Sequence, residues 1–284
     1  MVNIDLKGDY YMYTVSKRAK EYKQPRGGFL PPTSFETIKL DDGIELKEEN
    51  ISPSTVGLTV DYMTRFMEGT SVEKAFDISI QGAKRIKKEE KAKELLKEIT
   101  GLNDKSIISA CKLTGFDTVF RAGPMTYKPI EEINPDEDTI FNIITMIKRS
   151  QNFFENYGPV VNEGMTFLGG YTPTVISGDA DFMTKDTIWD FKVSKNPIKP
   201  FQTLQILMYY LMGCRAIELN AEYDFKKQIK NLGIYNPRKN EIYIKKISDI
   251  EKDVILEVEK EVIGYGDKIV DPHLNYILEK IIKK

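Results

Sequence analysis

The sequence predicts an α/β fold: a mixed central β-sheet flanked by helices, with a helical insertion at roughly 69–157. Three observations carry this reading. Residues 174–193 read as two short strands around a polar turn, and an apolar helix over 201–212 follows them. A second pair of alternating segments, 228–235 and 241–247, flanks the turn Asn236-Pro237-Arg238-Lys239-Asn240 and reads as a hairpin at the sheet edge. Residues 69–157 form a helical block between an early helix and the first hairpin. No internal repeat or low-complexity linker divides the 284 residues, so one domain over 1–284 is expected.

Each element has a local reason. Residues 1–35 hold a basic group, Lys17, Arg18, Lys20, Lys23 and Arg26, beside the loop signals Gln24-Pro25-Arg26-Gly27-Gly28 and Pro31-Pro32. Tyr10, Tyr11, Tyr13 and Tyr22 interleave with it, which would suit nucleic acid; an arm packed on the body is the simpler reading. Residues 51–69 place Val56, Val60, Met63, Phe66 and Met67 at helical spacing, with Ser54 as candidate N-cap. Asp61 interrupts that helix beside its apolar face. Residues 72–102 read as helix ending at Gly101, and 104–114 as another. Arg121-Ala122-Gly123-Pro124 reads as loop. A helix starts after Asn134-Pro135 with acids in its first turn and runs to about Tyr157. Residues 164–176 hold one or two strands, with Glu163 just before them. Residues 249–263 and 272–284 read as closing helices.

Composition narrows the function classes. A net charge of −2 argues against a chain that only coats nucleic acid, whereas an enzyme can gather positive charge in one groove. Cys111 and Cys214 lie far apart without C-x-x-C spacing, against a disulfide scaffold or a zinc site. The start MVNIDLKGDYYMYT lacks a basic-then-apolar signal pattern, and no run of about 18 apolar residues exists. No membrane span and a cytoplasmic location are expected.

The polar residues set into 174–213 carry the chemistry. Asp190 and Lys192 are two apart on a strand and share a face with Ile188, while Trp189, Phe191 and Val193 take the other. Charges on an otherwise apolar strand need partners. Asp181 can sit opposite them across the hairpin, and Asp179 would face the same way. On the helix, Gln205 and Tyr209 are four apart, with Gln202 one turn earlier. Two carboxylates, an ammonium, an amide and a phenol therefore converge. Carboxylates on neighbouring strands suit a hard cation, Mg²⁺ or Mn²⁺. An adjacent lysine can stabilise developing negative charge, and such a site activates water for attack on phosphorus. A calcium loop over 179–190 is rejected, because Met183 and Thr184 stand at its fifth and sixth positions and Asp190 rather than Glu at its twelfth.

Gly178-Asp179-Ala180-Asp181, Asp190-Phe191-Lys192 and Gln205-Ile206-Leu207-Met208-Tyr209 resemble, in order and spacing, the PD-(D/E)XK nuclease superfamily, in particular its RecB-like branch. The resemblance covers about forty residues. It implies a restriction-endonuclease-like core and a divalent-metal phosphodiesterase acting on DNA. It further implies Asp181, Asp190 and the main-chain carbonyl of Phe191 as metal ligands and Lys192 as the catalytic lysine. Gln205 and Tyr209 would orient the site or contact the nucleic-acid backbone. The family spacing from Gly178 favours Asp181 over Asp179. In the branch an early helix adds a ligand, often His or Glu; Gly57-Leu58-Thr59-Val60-Asp61 is similar with Asp61 in that place, and Glu163 is the runner-up. The only histidine, His273, is near the C-terminus. Two cysteines cannot hold the four-cysteine iron–sulfur cluster of some members. The resemblance leaves open the strand form cut, a protein partner or homo-oligomer, and a module that has lost turnover and only docks nucleic acid or protein.

Overall fold

The computed structural model describes residues 12–222 and 224–266. The N-terminal part runs β1 (Tyr13–Thr14), α1 (Val15–Glu21) and β2 (Glu36–Lys39). A helical stretch follows: α2 (Pro53–Met67), α3 (Val72–Ala75), α4 (Asp77–Arg85), α5 (Glu89–Glu98), α6 (Asp104–Thr114), α7 (Asp117–Ala122) and α8 (Glu137–Tyr157). Then come β3 (Asn162–Thr166), β4 (Val175–Ser177), β5 (Asp179–Met183) and β6 (Thr187–Phe191). The chain continues through α9 (Pro200–Gly213), α10 (Ile217–Glu222) and α11 (Phe225–Gln228) to β7 (Asn231–Asn236) and β8 (Glu241–Lys246). The last described helix, α12 (Lys252–Glu257), runs into a π-type turn at Val258–Ile263.

The fold is α/β, and its main sheet among the described residues is six-stranded and mixed, in the order β2-β8-β7-β6-β5-β3. Within that sheet, among the described residues, β6 and β7 are the one parallel pair; β1 and β4 form a separate two-stranded parallel sheet. A parallel neighbour requires a crossover, and α9 with α10 and α11 supplies it. The alternation read along β6 decides which layer covers which face. Ile188 joins the core of α9, with Leu204, Leu207 and Met208. Trp189 points the other way, against Phe153 of α8, Phe182 and Tyr235, with the Trp189 and Phe153 rings edge-on at 4.9 Å. A separate core unites α2 with α4, α5, α6 and α8 through Val60, Met63, Phe116, Ile143 and Met146. Helices thus run without an intervening strand from Pro53 to Tyr157.

Several local expectations are corrected. The N-cap of α2 is Ser52, whose hydroxyl accepts from the Thr55 amide at 3.1 Å; Pro53 at the first helical position fixes that start, so Ser54 is already inside. The helix expected over 72–102 is three helices, broken at Phe76 and again at Lys87, whose φ of 59° no helix tolerates. Arg121 and Ala122 close α7 rather than opening a loop. The hairpin β7–β8 is not at the sheet edge, because β2 pairs outside it. β6 ends at Phe191, so Lys192 and Val193 lie just past the strand. The expected closing helix over 272–284, and with it His273, lies outside the described residues, as do Tyr10 and Tyr11. The N-terminal basic segment packs on the body: Arg18 donates from Nε to the Val262 carbonyl and from Nη2 to that of Glu261, both at 2.8 Å. No helix among the described residues is long and apolar enough to cross a membrane.

Candidate active site

The site begins where β4 gives way to β5. Gly178 stands between them, and a Cβ there would lie 2.6 Å from Val15 Cγ2, so only glycine lets α1 lie this close. β5 then runs antiparallel to β6 with Phe182 opposite Trp189. One step along that register sets Asp181 across from Asp190. An Asp181 oxygen accepts the Phe191 amide at 2.6 Å, which latches the carboxylate to the end of β6.

Asp190 is 1% exposed and is the centre of the cluster. Lys192 donates to its Oδ1 at 2.7 Å, and the Gln205 amide reaches the same oxygen at 3.4 Å. The other oxygen, Oδ2, also lies 2.7 Å from Lys192 Nζ, so the ammonium spans both oxygens of the carboxylate. Gln205 also donates to the Tyr209 hydroxyl at 2.8 Å, and the Tyr209 ring stacks on Phe167. These four side chains come from the strand end and one face of α9, as their spacing predicts. Gln202 is used elsewhere: its amide oxygen accepts the Lys199 amide at 2.8 Å and caps α9.

Electrostatics follow from burial and crowding. Burial raises the Asp181 carboxyl, the like charge of Asp190 raises it further, and Lys192 opposes both. Burial likewise raises Asp190, against the pull of Lys192. For Lys192 burial works against the charge, but Asp190 and then Asp181 outweigh it and hold its pKa above the usual lysine value. Lys192 is therefore an ammonium. Tyr209 is pushed well above the ordinary tyrosine value, first by burial and then by Asp190, and stays a neutral phenol.

The two candidates for a third carboxylate both line one cavity of about 480 Å³ that also reaches Asp181 and Phe191. Asp61, on α2, is gripped by Arg65 one turn later, with Nε to Oδ1 at 2.9 Å and Nη2 to Oδ2 at 3.3 Å. The same guanidinium lies 3.8 Å from Asp181. Glu163, on β3, accepts from the Thr70 hydroxyl at 3.0 Å and from Lys74 at 3.2 Å. Asp179 is exposed at the start of β5. Arg65 is the residue that motif reading overlooked, although Asp61-x-x-x-Arg65 is a readable helical ion-pair spacing.

Asp181 and Asp190 are the residues that could hold a divalent ion. Among the described residues no three His, Cys, Asp or Glu side chains form a ready-made metal-binding group. Arg65 is paired with Asp61 and lies 3.8 Å from Asp181, a positive charge beside both. Two carboxylates still fit Mg²⁺, which keeps several waters and takes one or two such ligands. No protein-family model, curated protein or solved structure matches the chain, so its own residues and their geometry carry the functional reading.

Proposed function

We propose that the chain is a metal-dependent DNA nuclease with a restriction-endonuclease-like core. One observation carries the proposal: a buried carboxylate, Asp190, shared by an ammonium and an amide and faced by Asp181 on the adjoining strand. The motifs that resemble the RecB-like branch supply these same residues. A bound Mg²⁺ or Mn²⁺ would supply Lewis acidity and an activated water. Asp181 and Asp190 would hold the ion, with the Phe191 carbonyl and either Asp61 or Glu163 as further ligands. Lys192 aims its protons at the non-bridging oxygens of the attacked phosphate, where negative charge grows. Gln205 keeps Asp190 oriented, and Tyr209 keeps Gln205 oriented. In the reaction a backbone P–O bond breaks and a P–O bond to the water oxygen forms, leaving one phosphate end and one hydroxyl end.

Purified protein with Mn²⁺ should cut at least one of linear duplex, nicked, supercoiled or single-stranded DNA, and EDTA should stop it. Absence of product from all four would overturn the proposal. The ion should also stabilise the fold, because it binds only the native site. Mn²⁺ should raise Tm, and Asp190→Asn should remove most of the rise. If Asp61 is the third ligand, Asp61→Ala shrinks the rise and Glu163→Ala does not; the reverse result assigns Glu163.

A second reading has its own observation, the Asp61–Arg65 ion pair. A guanidinium resident beside Asp181 would suit a nuclease-fold module that docks nucleic acid or protein without cutting it. Under that reading DNA binds without cleavage whatever the ion, and Asp190→Ala leaves binding unchanged.

A further inference from the structure

Arg65 is a cation of the candidate site that no motif assigns. Its side chain is 24% exposed and lines the cavity with Asp61, Glu163, Asp181 and Phe191. Asp61 holds it with both carboxylate oxygens, one on Nε and one on Nη2. Such a fork fixes the plane of the guanidinium as well as its place. Nη2 also lies 3.8 Å from Asp181. The third arm, Nη1, donates to no group among the described residues. It ends 3.8 Å from where a side chain at Gly164 would begin, and the glycine leaves its approach open. A guanidinium stays charged at any working pH. Here Asp61, and then Asp181, hold that charge against the pull of burial.

Phosphodiester hydrolysis gathers negative charge on the attacking and the leaving oxygen, and sites with two ions clamp both. A second divalent ion at Asp61 would meet the like charge of Arg65 at close range. We infer that Arg65 is a further catalytic residue that takes the place of a second cation: Asp61 anchors it, its free Nη1 arm donates to the leaving oxygen, and the site takes one ion, at Asp181 and Asp190. The inference rests on the nuclease reading of the site. Asp61 is then no ligand of the ion. Lys192, past the end of β6, meets the non-bridging oxygens, and Arg65, on α2, meets the leaving one. The guanidinium keeps its protons throughout. The leaving oxygen keeps the electron pair of the broken P–O bond and takes a proton from solvent, while the water oxygen bonds phosphorus and gives a proton to solvent.

A Mn²⁺ titration without DNA, followed by electron paramagnetic resonance, tests this apart from turnover. Wild-type protein should bind one Mn²⁺ per chain. Arg65→Gln should bind it about tenfold more tightly, or take a second ion, because a like charge has gone. On the DNA form that wild-type protein cuts fastest, the same variant should lose about 10²–10³-fold in kcat with KM within about threefold, since the charge that Arg65 meets develops in the transition state. Arg65→Lys restores the charge without the fork, so it should show wild-type Mn²⁺ affinity and recover only part of the rate. If Arg65→Gln does not fold, Arg65→Lys carries the test: a kcat at least about tenfold below wild type supports the inference, and a full rate overturns it. Two ions per wild-type chain, Mn²⁺ affinity unchanged or weakened in Arg65→Gln, or an undiminished kcat in that variant also overturns it. A pair that only stabilises α2 would lower Tm on loss of Arg65 and leave both other readouts alone. DNA cutting that survives Arg65→Gln removes the arginine and keeps the nuclease; wild-type protein that cuts no DNA form removes both.

Discussion

Lys192→Ala is expected to lower DNA cleavage by about 10²–10⁴-fold, the range for a positioned group that acts on charge or protons in a transition state. Lys192 is placed for that work by two opposing facts. It is only partly exposed, with 24% of its side chain accessible, yet the acids beside it hold it charged. Its loss leaves Asp190 with the weak Gln205 contact at 3.4 Å and no cation. Affinity for DNA should change little, so the loss should appear in kcat rather than KM. Asp190→Ala should remove cutting as completely and leave affinity equal or higher, because a negative charge facing phosphate has gone. Undiminished cutting by folded Lys192→Ala protein, with circular dichroism as the check on folding, would remove Lys192 from the mechanism.

The largest effect on stability is expected outside the motifs, at Glu49. Arg238 holds Glu49 through two parallel bonds, Nη1 to Oε1 at 2.6 Å and Nη2 to Oε2 at 3.0 Å. Both side chains are buried, 6% and 4% exposed. Asn142 of α8 donates to the same carboxylate at 3.1 Å. Next to it Arg149 donates to Asp42 and to the carbonyls of Ile44, Pro237 and Arg238. Together these tie the segment entering α2, the β7–β8 turn and α8 into one joint. Removing one member of a buried ion pair strands the other charge, which destabilises by about 3–5 kcal/mol. Glu49→Ala should therefore lower Tm by about 10 °C. Replacing both partners, Glu49→Met with Arg238→Leu, should recover most of the loss, since no charge is then left unpaired. A Glu49→Ala protein that melts within about 2 °C of wild type would show that water or another side chain neutralises Arg238.

The motif stretch was legible because two periodicities were enough to place it. A period of two put Asp190 with Ile188 and against Trp189; a step of four put Gln205 over Tyr209. Both faces are where that reading set them. The joint at Glu49 was not legible, because nothing local in Asn236-Pro237-Arg238 tells which distant acid its arginine meets. β2 was missed for a related reason. Glu-Thr-Ile-Lys is too short and polar to alternate clearly, and it is a strand only because β8 offers it a partner. Arg65 was in plain view at helical spacing from Asp61. Reading Asp61 through the metal alone passed over the cheaper partner on its own helix.

The helical stretch leaves one edge strand of the sheet, β2, and enters at the opposite edge, β3. That topology sets an order on assembly during synthesis. Glu36 pairs with Ile244, so β2 leaves the ribosome about two hundred residues before its only partner in the main sheet exists. At ordinary rates of translation the wait is about 10–40 s, far longer than helices need to form and pack. The core of α2 to α8 can therefore be complete while β2 still shows bare hydrogen-bonding groups to the cell. Glu36 and Lys39, both exposed at the ends of that strand, place opposite charges where another chain would have to add on. They act as gatekeepers, keeping an early strand from pairing with the wrong molecule until its own partner is made.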